Sequence, residues 1–131
     1  MNVLLDTPIL IWALADTKKL KRKEKDIILS PDTTIYVSAI SLWEISLKYS
    51  IGKFKISSLH LESIVQGIEQ SGYSIITLTP AQAIGFYQLP RTAHADPFDR
   101  MLVWQAIAHK YYFMSRESKL KLYQPNGLQL V

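Results

Sequence analysis

The sequence predicts an α/β domain on a parallel sheet, and three observations carry that expectation. Short apolar runs alternate with helical patterns along the chain, the signature of βα repetition. A cap residue followed by proline recurs at Thr7-Pro8, Thr79-Pro80 and Asp96-Pro97, each time after an apolar run or a turn. Four acids, Asp6, Glu44, Asp99 and Glu117, stand where strands should end and helices begin.

The elements follow in order. Val3 to Asp6 is the first strand, and Thr7-Pro8 caps a helix to about Ala15. Leu20 to Leu29 is a basic helix stopped by Ser30-Pro31. Thr34 to Val37 is a β-branched strand, followed by a long helix from about Ser41 to Ile51 that Gly52 ends. Ser58 starts another helix, with Leu61, Ile64, Val65 and Ile68 at helical spacing and Gly72 at its end. Tyr73 to Leu78 is the third strand. Thr79-Pro80 opens a short helix to Leu89, and Asp96-Pro97 opens one to about His109. Tyr111 to Met114 is the fourth strand, and Leu128 to Val131 is a terminal strand after the turn Asn126-Gly127. Trp12, Trp43 and Trp104 lie on apolar helix stretches and are expected in the core.

The 131 residues suit a single domain spanning 1–131, long enough to bury roughly two-thirds of the surface its unfolded chain exposes. No uncharged apolar stretch reaches the ~20 residues that a membrane helix needs, and the first residues lack a basic and apolar leader. The absence of cysteine excludes disulfides and thiolate metal sites and fits a reducing, cytoplasmic setting. Neither of the common glycine-rich nucleotide-binding loops is present. The 15 basic and 11 acidic residues give a net charge of +4, and Lys18, Lys19, Lys21, Arg22, Lys23 and Lys25 fall together. Such a stretch is either a solvated helix face or a surface for a polyanion.

In an open parallel sheet the carboxyl ends of the strands line one ligand-binding crevice. Acids gathered there repel unless a cation neutralises them, and oxygen-only ligands suit Mg²⁺ or Mn²⁺. The four acids therefore point to a metal-dependent phosphodiester enzyme. Each acid also has a local reading. Ser41 to Glu44 matches a capping box, Asp96 is a good N-cap, Asp99 suits a first helical turn, and Glu117 sits between Arg116 and Lys119. Asp6, at the end of an apolar strand, is the hardest to read as local. Thr7, Asp96 and Ser115 are candidate accessory residues. His94, Arg100 and Arg116 are candidate RNA contacts, with loop hydrogen bonds or ion pairs to the acids as the alternatives.

The chain resembles PIN-domain ribonucleases, and within them the VapC-like toxins of toxin–antitoxin pairs. The resemblance rests on Leu4-Leu5-Asp6-Thr7, on Val37 to Ile45 with Lys48, and on Gly52-Lys53. It is strongest over Leu89-Pro90, His94, Asp96 to Leu102 and Gln105-Ala106, and Ser115-Arg116-Glu117 stands where the family usually has Thr-x-Asp. It implies a three-layer α/β/α sandwich, Mg²⁺- or Mn²⁺-dependent cleavage of RNA, and a cognate antitoxin as partner. A second copy of the chain is a further candidate partner. Asp6, Glu44 and Asp99 match the family's acids, and Asp96 matches an acid typical of the subgroup. Three positions depart from the pattern: Pro8 where these toxins often carry His, Glu117 for Asp, and Trp104 where a small residue is common.

Two other readings compete. Glu117 carries one extra methylene, so the domain could bind RNA or protein without catalysis. A phosphatase or phosphoacceptor domain needs a second acid beside Asp6, where Thr7 and Pro8 stand, and ranks below both.

Overall fold

The computed structural model describes residues 1–54 and 60–131. Five parallel strands form one sheet in the order β3-β2-β1-β4-β5. They are β1 (Asn2–Leu5), β2 (Thr34–Ser38), β3 (Ser74–Ile76), β4 (Tyr112–Met114) and β5 (Gln129–Leu130). The chain winds outward from β1 through β2 to β3, then returns to place β4 on the other side of β1. The order thus reverses between β1 and β4, and a crevice opens there at the carboxyl ends of the strands.

Among the described residues six α-helices cover the faces: α1 (Thr7–Ala15), α2 (Arg22–Leu29), α3 (Ala39–Ser50), α4 (Leu61–Gln70), α5 (Pro80–Gly85) and α6 (Pro97–His109). Successive side chains of a strand point to opposite faces, so the central strand feeds two cores. Val3 and Leu5 pack with Ile9, Leu10, Ile45 and Ile68 on one face. Leu4 packs with Leu102, Val103, Phe113 and Tyr123 on the other. The result is the expected three-layer α/β/α arrangement. No helix among the described residues is long and apolar enough to cross a membrane.

Several local expectations change. The N-cap of α1 is Asp6, whose carboxylate accepts the Ile9 N–H, while Thr7 is already helical. The strand delivers Asp6 to the helix entrance directly, so no separate cap is needed. The basic helix starts at Arg22, after a 3-10 turn over Thr17–Lys19, with Leu20 buried between them. Ser38, not Ser41, caps α3, because β2 runs into the helix without a loop. The capping box read at Ser41 and Glu44 is therefore absent. The start of a helix at Ser58 lies outside the described residues; α4 is described from Leu61, and Gly72 follows it with φ 79°. Thr79 and Gln82 form a capping box on α5. A 3-10 segment over Ser118–Asn126, without the 3.6-residue period that marks α-helices, was not expected.

Trp43 is not in the core. It is 60% exposed and packs edge-on against Phe98 at 5.1 Å between centroids. Trp104 is half-buried, and its Nε1–H donates to the Gln82 carbonyl. The ring covers Gly85, where an added Cβ would stand 3.2 Å from Trp104 Cζ2. A large residue is tolerated on α6 because glycine faces it on α5.

Gln105, fully buried on α6, ties the layers behind the crevice together. Its Oε1 accepts the Ser38 hydroxyl at 2.5 Å, and its Nε2 donates to the Thr77 carbonyl at 3.3 Å and to Gln82 Oε1 at 3.1 Å. Gln105→Leu leaves the buried Ser38 hydroxyl without its acceptor, at about 1–3 kcal/mol, while Thr77 and Gln82 can turn to water. Urea denaturation should show a midpoint lowered by that free energy divided by an unchanged slope. A wild-type midpoint would mean the network contributes nothing net.

Candidate active site

Asp6 leaves the end of β1 in the crevice and is 5% exposed. Its backbone N–H donates to the Met114 carbonyl at 3.1 Å, which registers it against the end of β4. Its carboxylate accepts the Ile9 N–H at 2.9 Å, and the nearby Ser115 side chain also favours its charged form. Burial outweighs both. With further repulsion from Asp99 and Glu44, the carboxyl is pushed up to about 7.

Glu44 lies in the second turn of α3 and is 4% exposed. The Thr7 hydroxyl donates to its Oε1 at 2.7 Å, and Lys48 Nζ donates to its Oε2 at 2.5 Å. The Ser41 hydroxyl lies 3.0 Å from Thr7 Oγ1. Since Thr7 spends its one proton on Glu44, Ser41 is left to donate to Thr7. The Lys48 ammonium is held above its ordinary range by the Glu44 hydrogen bond first, and then by the charges of Glu44, Asp96 and Asp99. Lys48 is thus a tethered cation beside the acids.

Asp99 sits in the first turn of α6. Its N–H donates to Asp96 Oδ1 at 3.0 Å, so Asp96 is the exposed N-cap of the helix. Its Oδ2 lies 3.3 Å from His94 Nε2. Burial first, then the charge of Asp96, raises the Asp99 carboxyl, while the His94 hydrogen bond works against them.

Asp6, Glu44 and Asp99 therefore feel one another's charge. Glu117 is not among the groups that shift Asp6 or Asp99. It is exposed and caps the following 3-10 segment by accepting the Lys119 N–H at 3.1 Å. Its own N–H donates to Ser115 Oγ. Among the described residues, no three acidic or imidazole side chains converge on one preformed cation position. The donors are nonetheless all carboxylate oxygens, the type that a hard divalent cation prefers, and their mutual repulsion is relieved only in part by Lys48.

The three candidate RNA contacts are committed to protein partners. His94 is 5% exposed. Arg100 donates to the Leu89 and Pro90 carbonyls, each at 3.1 Å, and lies over the Phe86 ring. Arg116 grips both carboxylate oxygens of Glu24 and the Lys19 carbonyl, and stacks over Trp12 at 4.5 Å. Beside Glu44 a cleft of about 330 Å³ is lined by Thr7, Pro8, Ile11, Trp12, Lys48 and Phe54, among others. Sequence reasoning quoted Lys48 but gave it no role, although its four-residue spacing from Glu44 was the available signal.

A family model described as PIN domain matches residues 3–123. Among curated proteins none matches the chain. Solved structures similar to it include VapBC2 from Rickettsia felis bound to a DNA fragment from its promoter, at 22% identity and TM-score 0.70, covering 100% of this chain and 98% of that one. DNA-bound VapBC from Salmonella typhimurium is similar at 18% identity and TM-score 0.68, covering 100% and 97%. VapBC-5 from Mycobacterium tuberculosis, a member of the VapBC family of toxin–antitoxin systems, is similar at 11% identity and TM-score 0.60, covering 99% and 97%. At these identities the likeness establishes the shared fold.

The Asp6 shift has a signed consequence. The folded protein keeps a proton on Asp6 up to about pH 7, whereas the unfolded chain releases it near 3.8. Between those values the metal-free fold loses stability as pH rises. Asp6→Asn retains an oxygen to cap Ile9 and abolishes that loss. Thermal melts in chelator should show the variant more stable than wild type at pH 8 and equal to it near pH 4. Parallel pH slopes in the two proteins would place the titration elsewhere.

Proposed function

The chain belongs to the PIN domain family, and from that premise we propose that it is a Mg²⁺- or Mn²⁺-dependent endoribonuclease acting as the toxin of a toxin–antitoxin pair. The observation that supports the proposal is that Asp6 at the end of β1 and Asp99 at the start of α6 are both raised by burial and by repulsion from neighbouring acids, Glu44 among them. A divalent ion bound there supplies Lewis acidity to a phosphodiester and a nucleophilic water at neutral pH.

The chain's own residues divide the remaining work. Asp6 and Asp99 hold the ion from the ends of β1 and the start of α6. Glu44 completes the set or takes the proton of the attacking water. Thr7 fixes the Glu44 carboxylate and Ser115 that of Asp6, while Asp96 pins the first turn that carries Asp99. Glu117 is the weaker fourth ligand, available to a second ion once it releases the Lys119 N–H. The exposed basic residues from Lys18 to Lys23 attract the RNA backbone. The antitoxin covers the cleft beside Glu44, which has apolar walls, and presents an Arg or Lys to the acids. The proposal includes a cytoplasmic setting and self-association into a homodimer.

A second reading is favoured by one observation: Glu44 already has a cation in Lys48, and Glu117 is spent on a cap. On that reading the domain binds RNA or protein without cutting.

Asp99→Asn should abolish metal-dependent RNA cleavage while the protein stays folded, with a loss of at least 100-fold in rate. Glu117→Asp should cleave as well as or better than wild type, and Glu117→Gln should lose less activity than Asp99→Asn. If neither wild type nor Glu117→Asp cuts cellular RNA with Mg²⁺ or Mn²⁺, the binding-domain reading replaces the first reading. Co-expression with a small protein encoded beside it should give one complex in size-exclusion chromatography, with cleavage suppressed. Separate peaks at micromolar concentration would remove the antitoxin from the proposal.

A further inference from the structure

His94 is buried beside an acid. Its ring is held on both nitrogens: Nδ1 lies 3.1 Å from the Tyr123 hydroxyl and Nε2 lies 3.3 Å from Asp99 Oδ2. The Tyr123 ring stands edge-on to it at 5.7 Å. Among the described residues, His94 is the side-chain hydrogen-bond partner of the Asp99 carboxylate.

The protons around this ring can be placed by counting donors. The His94 backbone N–H donates to Thr92 Oγ1 at 3.1 Å. Thr92 Oγ1 has one proton of its own and two acceptors in reach, the Tyr123 hydroxyl at 3.1 Å and the His94 carbonyl at 3.5 Å, and the closer Tyr123 takes it. Tyr123 has then accepted a bond and still holds one proton. Its acceptors are His94 Nδ1 at 3.1 Å and the His94 carbonyl at 3.4 Å, of which Nδ1 is the closer. A neutral imidazole that accepts at Nδ1 carries its proton on Nε2. That proton points at Asp99. The opposite tautomer would set a lone pair against a carboxylate, so the circuit selects the ring form that donates to the acid.

We propose that His94 is a positioning residue for Asp99, fixing the carboxylate as a cation ligand through an Nε2 proton that Thr92 and Tyr123 hold in place. The inference rests on the metal-binding reading of Asp99. A carboxylate that accepts from His94 through Oδ2 is oriented before the ion arrives, and it retains its other oxygen for the ion. Groups that orient a metal ligand in this way typically alter affinity 10- to 100-fold when lost. The circuit also links the crevice to the 3-10 segment over Ser118–Asn126, which carries Tyr123 and contributes no acid to it.

The test uses the whole chain and two measurements. Nitrogen-15 NMR of the metal-free protein at pH 8 should show His94 protonated at Nε2, and Tyr123→Phe, which keeps the ring and removes the hydroxyl, should mix the tautomers. Calorimetric titration with Mn²⁺ should show roughly ten-fold weaker binding in Tyr123→Phe and in His94→Ala. His94→Gln, which restores a donor, should recover most of the loss. Wild-type Mn²⁺ affinity in folded Tyr123→Phe and His94→Ala overturns the positioning role, as does an equal loss in His94→Gln and His94→Ala. If wild type and Asp99→Asn bind Mn²⁺ equally or not at all, the metal reading itself fails and the positioning role falls with it.

Discussion

The mutual repulsion of desolvated carboxylates at the reversal of strand order is the constraint around which the rest of the molecule is arranged. Asp6 is the clearest case. Ile9 and Ser115 favour its charge, and burial still wins. A fold that only sought stability would place an amide or an apolar group there. The neighbouring elements instead moderate the penalty, with Lys48 beside Glu44, His94 beside Asp99 and Ser115 beside Asp6. Removing one acid should relieve the other two, which is why function and stability pull in opposite directions at this point.

Several of these acids do two things at once. Asp6 ends a strand, caps α1 and enters the crevice. Asp96 caps α6 through the N–H of Asp99, the residue whose carboxylate faces His94. The helix entrances supply N–H groups and a positive dipole end, which favour carboxylates independently of any ligand. A local cap and a ligand position are therefore compatible, and the choice between them was never exclusive at Asp6. At Glu117 the cap dominates, because the chain turns at once into a 3-10 segment whose first N–H groups need an acceptor.

Behind the crevice the scaffold is rigid for identifiable reasons. Gln105 joins β2, the β3–α5 connection and α6 through three hydrogen bonds. Trp104 seats its ring on Gly85 and bonds the Gln82 carbonyl. These contacts fix the angle at which α6 presents Asp96 and Asp99. They are distant in sequence and lie on elements whose individual patterns look ordinary.

The fold class, the parallel sheet and most of the elements were legible from local pattern: apolar runs of strand length, proline after a cap residue, and glycine or asparagine at the ends. The placement of Asp6 at the end of β1 was legible too, since strand-end positions share one edge of a parallel sheet whatever the loops do. What the tertiary structure decided is the partner of each side chain. Exposure of Trp43, the Arg116 grip on Glu24 and the Thr92–Tyr123–His94 circuit depend on which elements pack together. A sequence records the hydrogen-bonding capacity of each group. The partner that satisfies it is set by burial and, for Arg116 and Tyr123, by neighbours 29 to 92 residues away, and no local period encodes that choice.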